Sequence, residues 1–307
     1  LHRDYHRSII EKELARYQSN QATQSSAKDY ITTLDKIGQA IMFHIFFGAE
    51  YGTTFYNDLL ETFHKLYDPQ WHFYIEDHQL AALEEIKSIL QTQLDPCHAP
   101  GHTAVKESIL GRIHEADALD ETMLVNLIFM VETGRFAIFG LLRWTSKYAV
   151  DHPEIYDRIS TDPDVFSNEQ DCIAQAFVQE SLRLNQIERL LRDVKESFVF
   201  EGKLFPKGSI ARICLWESHK SDDLFPDPFT FNPQRFIDRQ FTLDEFAPFG
   251  VGSHRCPFGA FSIQVARLFL HCLSSNYRLE GIGNGPISRG VAHHEPAKEF
   301  SVLLHTK

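Results

Sequence analysis

Residues 246–259, Phe246-Ala-Pro-Phe-Gly-Val-Gly-Ser-His-Arg-Cys-Pro-Phe-Gly259, constrain this chain more than any other stretch. Glycines and proline shape a loop around one cysteine, Cys256, just before an amphipathic helix expected over 260–273. Such a loop either presents a sulfur ligand to a metal centre or holds an ordinary cysteine after a turn, and glycines alone do not decide between them. The thiolate is the ligand, and it is favoured by the N–H groups of a turn, by the N-terminus of the following helix and by a basic neighbour such as Arg255.

Phe249, Gly250, Gly252, His254 and Cys256 fall in step with Phe-Gly-x-Gly-x-His/Arg-x-Cys, the cysteine loop of the cytochrome P450 haem-thiolate family, which this chain resembles. One departure is Phe258 where the family usually has glycine, with Gly259 one place later; an altered turn beneath the haem is the expectation. Upstream, Glu180 and Arg183 lie three residues apart on one helix face, a pair that by itself is common on solvated helices. Their weight comes from order: Phe205-Pro-Lys-Gly208, Phe225-Pro-Asp-Pro228, Phe231-Asn-Pro-Gln-Arg-Phe236 and then the cysteine loop follow, a succession similar to the family over 170–275. The resemblance implies haem b (iron protoporphyrin IX) with Cys256 as axial iron ligand, and a buried Glu180–Arg183–Arg235 network behind it. It also implies Arg192 and His254 as propionate partners, and Phe249 and Gly259 as part of the cofactor cradle. The opening Leu1–Ser8 segment resembles a helix that supplies further propionate contacts, with His2 matching, His6 replacing an arginine and Arg7 placed to compensate.

Residues 120–148 form a long, mostly apolar, proline-free segment with an acidic first turn, which reads as a buried central helix. It resembles the family helix that crosses the oxygen side of the haem and carries an Ala/Gly-Gly-x-Asp/Glu-Thr run, whose acid–alcohol pair relays protons. Two registers compete. Anchored on Trp144 and His152-Pro153 without a gap, Thr133-Gly134-Arg135-Phe136-Ala137 meets the run, with Gly134 in the groove and Phe136 and Ala137 in place of acid and alcohol. Anchored on Glu132-Thr133, the pair is recovered at the cost of a four-residue length difference, with Phe129 and Met130 in the groove. The ungapped register is preferred, and it leaves the relay missing or remade by Glu132, Arg135, substrate or water.

At 307 residues and 43% apolar, the chain can bury a large core, read here as a single haem-binding domain over 1–307, helical through 195 and carrying sheets and the haem loop from 196 onward. Five scattered cysteines without a Cys-x-x-Cys pair argue against a disulfide framework or zinc site and for a reducing compartment. A net charge of −12 disfavours nucleic acid. Without a dinucleotide-binding fingerprint, electrons would have to come from an external ferredoxin or flavoprotein reductase, docking on basic groups such as Arg255 and Arg267. The residues are expected to be cytoplasmic, with no charge-free stretch of transmembrane length. Because the chain opens on Leu1, within what the resemblance makes the third main helix, a membrane anchor ahead of it stays open.

Helices are expected at 7–18, 30–47, 52–67, 80–94, 104–114, 120–148, 168–184 and 260–273, with polar loops at 19–29 and 95–102. A hairpin is expected over 196–205 with a turn at Glu201-Gly202, and strands at 209–215 and 300–304. The fold class is therefore mainly α with small sheets late in the chain, a cytochrome P450 fold without its usual N-terminal helices and strands. Three functions follow from the resemblance. The first is monooxygenase-type oxidation of a small or medium apolar metabolite in specialised metabolism. The second keeps the haem for peroxide-driven oxidation, rearrangement, dehydration or coupling. The third is a degenerate member that binds and does not catalyse.

Overall fold

The structure, a computed structural model, describes residues 2–21, 27–66, 75–95, 102–161, 172–186, 190–283, 285, 288–289 and 294–307. The chain separates into two compact units, Leu1–Gln24 with Lys28–Phe139, and Ser25–Ala27 with Gly140–Lys307.

The first unit is helical: α1 (Arg3–Asn20), α2 (Ala27–Phe47), α3 (Thr54–Leu66), α4 (Asp77–Leu94), α5 (His102–Glu107), α6 (Ile109–Glu115) and the first part of α7 (Glu121–Asp151). Apolar spacing explains the core. Tyr30, Leu34, Ile37 and Ile41 recur at helical intervals on α2 and are fully buried, as are Ile86 and Leu90 of α4. Phe43 of α2 meets Phe63 of α3 at 4.9 Å and Tyr56 at 5.9 Å, the edge-on and tilted packing that aromatic rings prefer. Helix ends follow local chemistry. Glu76 and Gln79 form a reciprocal capping box at α4, and Asp120 Oδ1 accepts the Met123 N–H at 2.7 Å at the start of α7.

Where one helix was expected over 104–114, the structure has two. Ser108 breaks the run and caps α6 by accepting the Gly111 N–H at 3.1 Å. A Cβ at Gly111 would stand 2.0 Å from the Val105 carbonyl oxygen, so only glycine lets the two short helices close on each other. The expected loop starting at 19 gives way to α1, which runs to Asn20; 22–26, 67 and 96–101 lie outside the described residues.

The second unit holds the rest of α7, then α8 (Pro153–Ser160), α9 (Ile173–Ser181), which continues as a π turn over Leu182–Gln186, and three further helices, α10 (Leu215–Ser218), α11 (Gln234–Asp238) and α12 (Gly259–Asn276). Pro153 opens α8 at its first position, where a missing N–H costs nothing. The expected helix start at 168–171 lies outside the described residues. Helix α12 packs on α8 and α9 through buried Val265, Phe269 and Leu273. Strands β1 (Leu190–Asp193), β2 (Phe198–Phe200), β3 (Lys203–Phe205), β4 (Ile210–Ile213), β5 (Tyr277–Ile282), β6 (Ser288–Arg289), β7 (His294–Glu295) and β8 (Ser301–Thr306) make four antiparallel pairs: β1 with β4, β2 with β3, β5 with β8 and β6 with β7. The β2–β3 turn has Glu201 and Gly202 both at positive φ, the geometry that closes a two-residue hairpin. This hairpin shows Phe198 and Phe200 on one face and Val199 and Leu204 on the other, all exposed. Strands β1, β5, β6 and β7 were not foreseen; β1 and β5 pair with β4 and β8, which lie well apart from them in sequence.

One expectation needs correction, and another stands beside a new fact. By length and composition α7 is long and apolar enough to cross a membrane, though it is not free of charge. It carries Glu132, Arg135 and Arg143, each ion-paired with carboxylate or guanidinium inside its own unit, as a core helix does. Arg267, expected as a docking group, is buried, donating to Gln175 Oε1 at 3.1 Å and toward Cys172 Sγ at 3.3 Å; it presents no charge to a partner.

On the first unit, His6 Nε2 lies 3.2 Å from His44 Nδ1. Burial first, then neighbouring imidazoles, pushes His6 down to about 3 and His44 down to about 4. Both are neutral when folded and take up protons near pH 6.5 when unfolded, so stability is complete above pH 6.5 and falls as pH drops toward 4. Each contributes a slope of about 1.4 kcal/mol per pH unit in that window. The denaturant midpoint is therefore expected to drop clearly between pH 7 and pH 5, and a flat profile there would contradict the buried pair.

Candidate haem-thiolate site

The cysteine loop lies wholly in the second unit. Gly250 and Gly252 take positive φ, +75° and +67°, which lets the chain reverse twice within a few residues. The Gly250 N–H donates to Ala247 O at 3.0 Å, a 3-10 turn spans Gly252–His254, and the Cys256 N–H donates to Phe249 O at 2.8 Å. These bonds close the loop on itself and leave Cys256 exposed, with a free thiol. Phe258 occupies the N-cap of α12, and no side chain caps the first turn. A Cβ at Gly259 would stand 2.8 Å from the Phe249 ring, so this glycine is the place where α12 starts against the loop. Phe258 thus displaces the glycine by one residue, and Gly259 still provides close approach.

Behind the loop, the structure brings Glu180, Arg183 and Arg235 together. Arg183 donates through Nε and Nη2 to the two Glu180 oxygens at 2.7 and 2.8 Å, and both residues are fully buried. Its Nη1 reaches the carbonyls of His219 (2.8 Å) and Pro228 (2.7 Å), and Nη2 that of Thr230 (3.3 Å). Glu180 Oε1 also accepts from Arg235 Nε at 3.2 Å and from the Asn232 N–H at 2.9 Å. A planar fork with five donors suits this task, since prolines in the 226–233 segment leave carbonyls without helix or strand partners.

The other candidates are placed as follows. Arg192 is half-buried on β1, its Nη1 donating to Leu191 O at 2.8 Å, and His254 is exposed in the 3-10 turn. In the first unit His2 is exposed, 3.7 Å from Glu107, and Arg7 is half-buried on α1. His6 is buried on His44 and neutral, so to a propionate it could bring a hydrogen bond and no charge. On α7, Arg135 forks onto Glu132 at 2.9 Å twice, reaches Asp35 of α2 at 3.0 Å, and lies 4.2 Å over the Phe136 ring. Gly134 faces Met42 of α2, whose Cε would stand 2.6 Å from an added Cβ; its smallness serves helix packing. The exposed stripe of α7 carries Phe129, Met130, Thr133 and Ala137. Thr133 Oγ1 donates to Phe129 O at 2.9 Å, while both Glu132 oxygens are held by Arg135, so acid and alcohol turn to different partners. Asp35, His44, His219 and Asn232 escaped the sequence reading; their partners lie tens of residues away and no local spacing marks them.

Removing one member of a buried ion pair leaves the other charge unpaired and typically costs about 3–5 kcal/mol. Glu180→Ala is expected to lose about that much in equilibrium denaturation, with Arg235→Ala losing distinctly less because Arg235 shares only one Glu180 oxygen. Equal losses would mean that Arg235 is as central to the network as Arg183.

The residues present suit a sulfur-ligated iron cofactor: an exposed thiol without a disulfide partner stands three residues before a long helix whose first N–H groups have no intrahelical acceptor and favour negative charge. The family described as Cytochrome P450 matches residues 150–290, which contain the network and the loop. Among curated relatives, the chain is 24% identical over 220 residues to abscisic acid 8'-hydroxylase 1 of Arabidopsis thaliana, covering 66% of this chain and 46% of that protein. It is 27% identical over 195 residues to beta-amyrin 11-oxidase of Glycyrrhiza uralensis, covering 58% and 38%. The matched segments therefore span less than half the length of these relatives. The structure of retinoic acid bound cyanobacterial CYP120A1 superposes with a TM-score of 0.76 at 18% identity, over 99% of this chain and 75% of that one, which establishes the fold. With the loop, the network and the fold in agreement, residues 150–290 match the cytochrome P450 family, whose members carry haem iron, and the chain has the cytochrome P450 fold.

Proposed function

We propose that residues 1–307 act as one haem-binding oxidoreductase domain of monooxygenase type, with haem b held by the Cys256 thiolate and a small or medium organic metabolite as substrate. The observation that carries this reading is the Cys256 loop itself: an exposed thiol whose own N–H is tied to Phe249 O at the N-terminus of α12. Haem bound through a thiolate supplies dioxygen activation, with sulfur pushing electron density toward O–O cleavage. The chain's residues do the rest. Within the second unit, Gly250, Gly252 and the Phe249–Gly259 contact would fix the sulfur's position, with Arg192 and His254 as donors to the propionates. On the first unit, His2 and Arg7 would be further carboxylate donors, and the exposed stripe Phe129, Met130, Thr133 and Ala137 would face substrate. Electrons come from an external ferredoxin or flavoprotein reductase. Relatives named as a hydroxylase and an oxidase, and a structural neighbour bound to retinoic acid, support oxidation of a small organic molecule.

A second reading, oxidation driven by peroxide or a reaction without oxygen insertion, is favoured by one observation: Glu132 is locked to Arg135 and Thr133 to Phe129 O, so no acid–alcohol pair is assembled on α7. Two measurements separate the readings. The reduced, carbon monoxide-bound protein should show the long-wavelength Soret band of thiolate ligation, and Cys256→Ser should abolish it; its persistence in the variant would remove Cys256 as ligand. A working proton relay contributes roughly 100-fold or more. Glu132→Gln should therefore cost that much in reductase-driven turnover under the first reading, and less than about tenfold under the second, where peroxide alone sustains turnover.

A further inference from the structure

His219 follows α10 and is buried. Its ring Nε2 accepts the backbone N–H of Ala247 at 3.1 Å, and its own carbonyl accepts Arg183 Nη1 at 2.8 Å. One residue therefore joins the Glu180–Arg183 network to the beginning of the cysteine loop. Only a neutral imidazole with its proton on Nδ1 can accept at Nε2. Burial, reinforced by the charges of Lys220 and Arg183, pushes His219 down to about 3 and keeps it neutral. The ring is set by Phe246 at 5.1 Å and Phe225, edge-on, at 6.2 Å. Next to it Lys220 Nζ donates to the carbonyls of Arg183 (2.7 Å) and Leu184 (2.9 Å), bracing the same π turn. From Ala247 two more bonds lead onward: the Gly250 N–H to Ala247 O, and the Cys256 N–H to Phe249 O.

We propose that His219 is a positioning residue for the thiolate loop: its ring nitrogen anchors Ala247 to the Glu180–Arg183 network and so sets where Cys256 stands. The role for Cys256 rests on the reading of the site given above, whereas the anchoring can be measured without reference to ligation.

The test compares the native protein with His219→Leu, which fills the space without an acceptor, and His219→Gln, whose amide oxygen reaches the position of Nε2. Amide hydrogen exchange across 247–256 reads the anchor, and the carbon monoxide spectrum of the reduced holoprotein reads the sulfur. We expect exchange at Ala247 to be about tenfold faster in His219→Leu and to return to within a few-fold of native in His219→Gln, since one neutral hydrogen bond is at stake. Part of the long-wavelength band should move to the neutral-ligand position in the leucine variant and return in the glutamine variant. Equal exchange in the two variants overturns the proposal, whatever the spectra show. If exchange separates them while the native protein lacks the thiolate band, the anchoring stands and the ligand assignment fails. Should His219→Leu not fold, His219→Asn, too short to reach Ala247, takes its place with the same two outcomes.

Discussion

Glu180 and Arg183 lie out of water, and what they hold together depends on their staying paired. Three residues apart, they sit where α9 gives way to a π turn, which places the guanidinium with its free edge turned away from its own helix. That edge gathers the carbonyls of His219, Pro228 and Thr230, while the carboxylate gathers the Asn232 N–H and Arg235. The segment from 219 to 233 has no helix or strand of its own. Backbone polar groups in such a segment need partners, and a single charge pair supplies several of them at once.

The cysteine loop is stiff for a different reason. Its shape comes from backbone conformations that glycine reaches freely and from N–H to carbonyl bonds inside the loop, with Phe249 packed on Gly259 as the mechanical stop. Network and loop are thus separately ordered structures, and the His219 ring is a bond that joins them. A neutral acceptor suits that position, because a charged donor there would face the Ala247 N–H.

Much of this was legible in the sequence. The loop and the Glu-x-x-Arg succession reveal themselves through spacing, and the long helices through the recurrence of apolar residues; α2, α4 and α7 lie within a few residues of where periodicity puts them. What stayed hidden has a common cause. Asp35 on Arg135, His44 on His6 and His219 on Ala247 are contacts between residues far apart in the chain, which no local pattern encodes. Gly134 shows a different hazard: a groove for a ligand and a close approach to Met42 both ask for a small residue, so the sequence alone does not separate them. The break at Ser108 could have been found, since a serine directly ahead of an apolar run is a candidate N-cap even within an otherwise helical stretch.

The β2–β3 hairpin bears on a property other than folding. Phe198, Phe200, Val199 and Leu204 put apolar side chains on both of its faces, and a two-stranded ribbon has two open edges besides. Water solvates such an element poorly from every side. At high concentration such exposed ribbons favour edge-to-edge association of molecules, and a charge placed at Val199 is expected to weaken it without touching the cysteine loop.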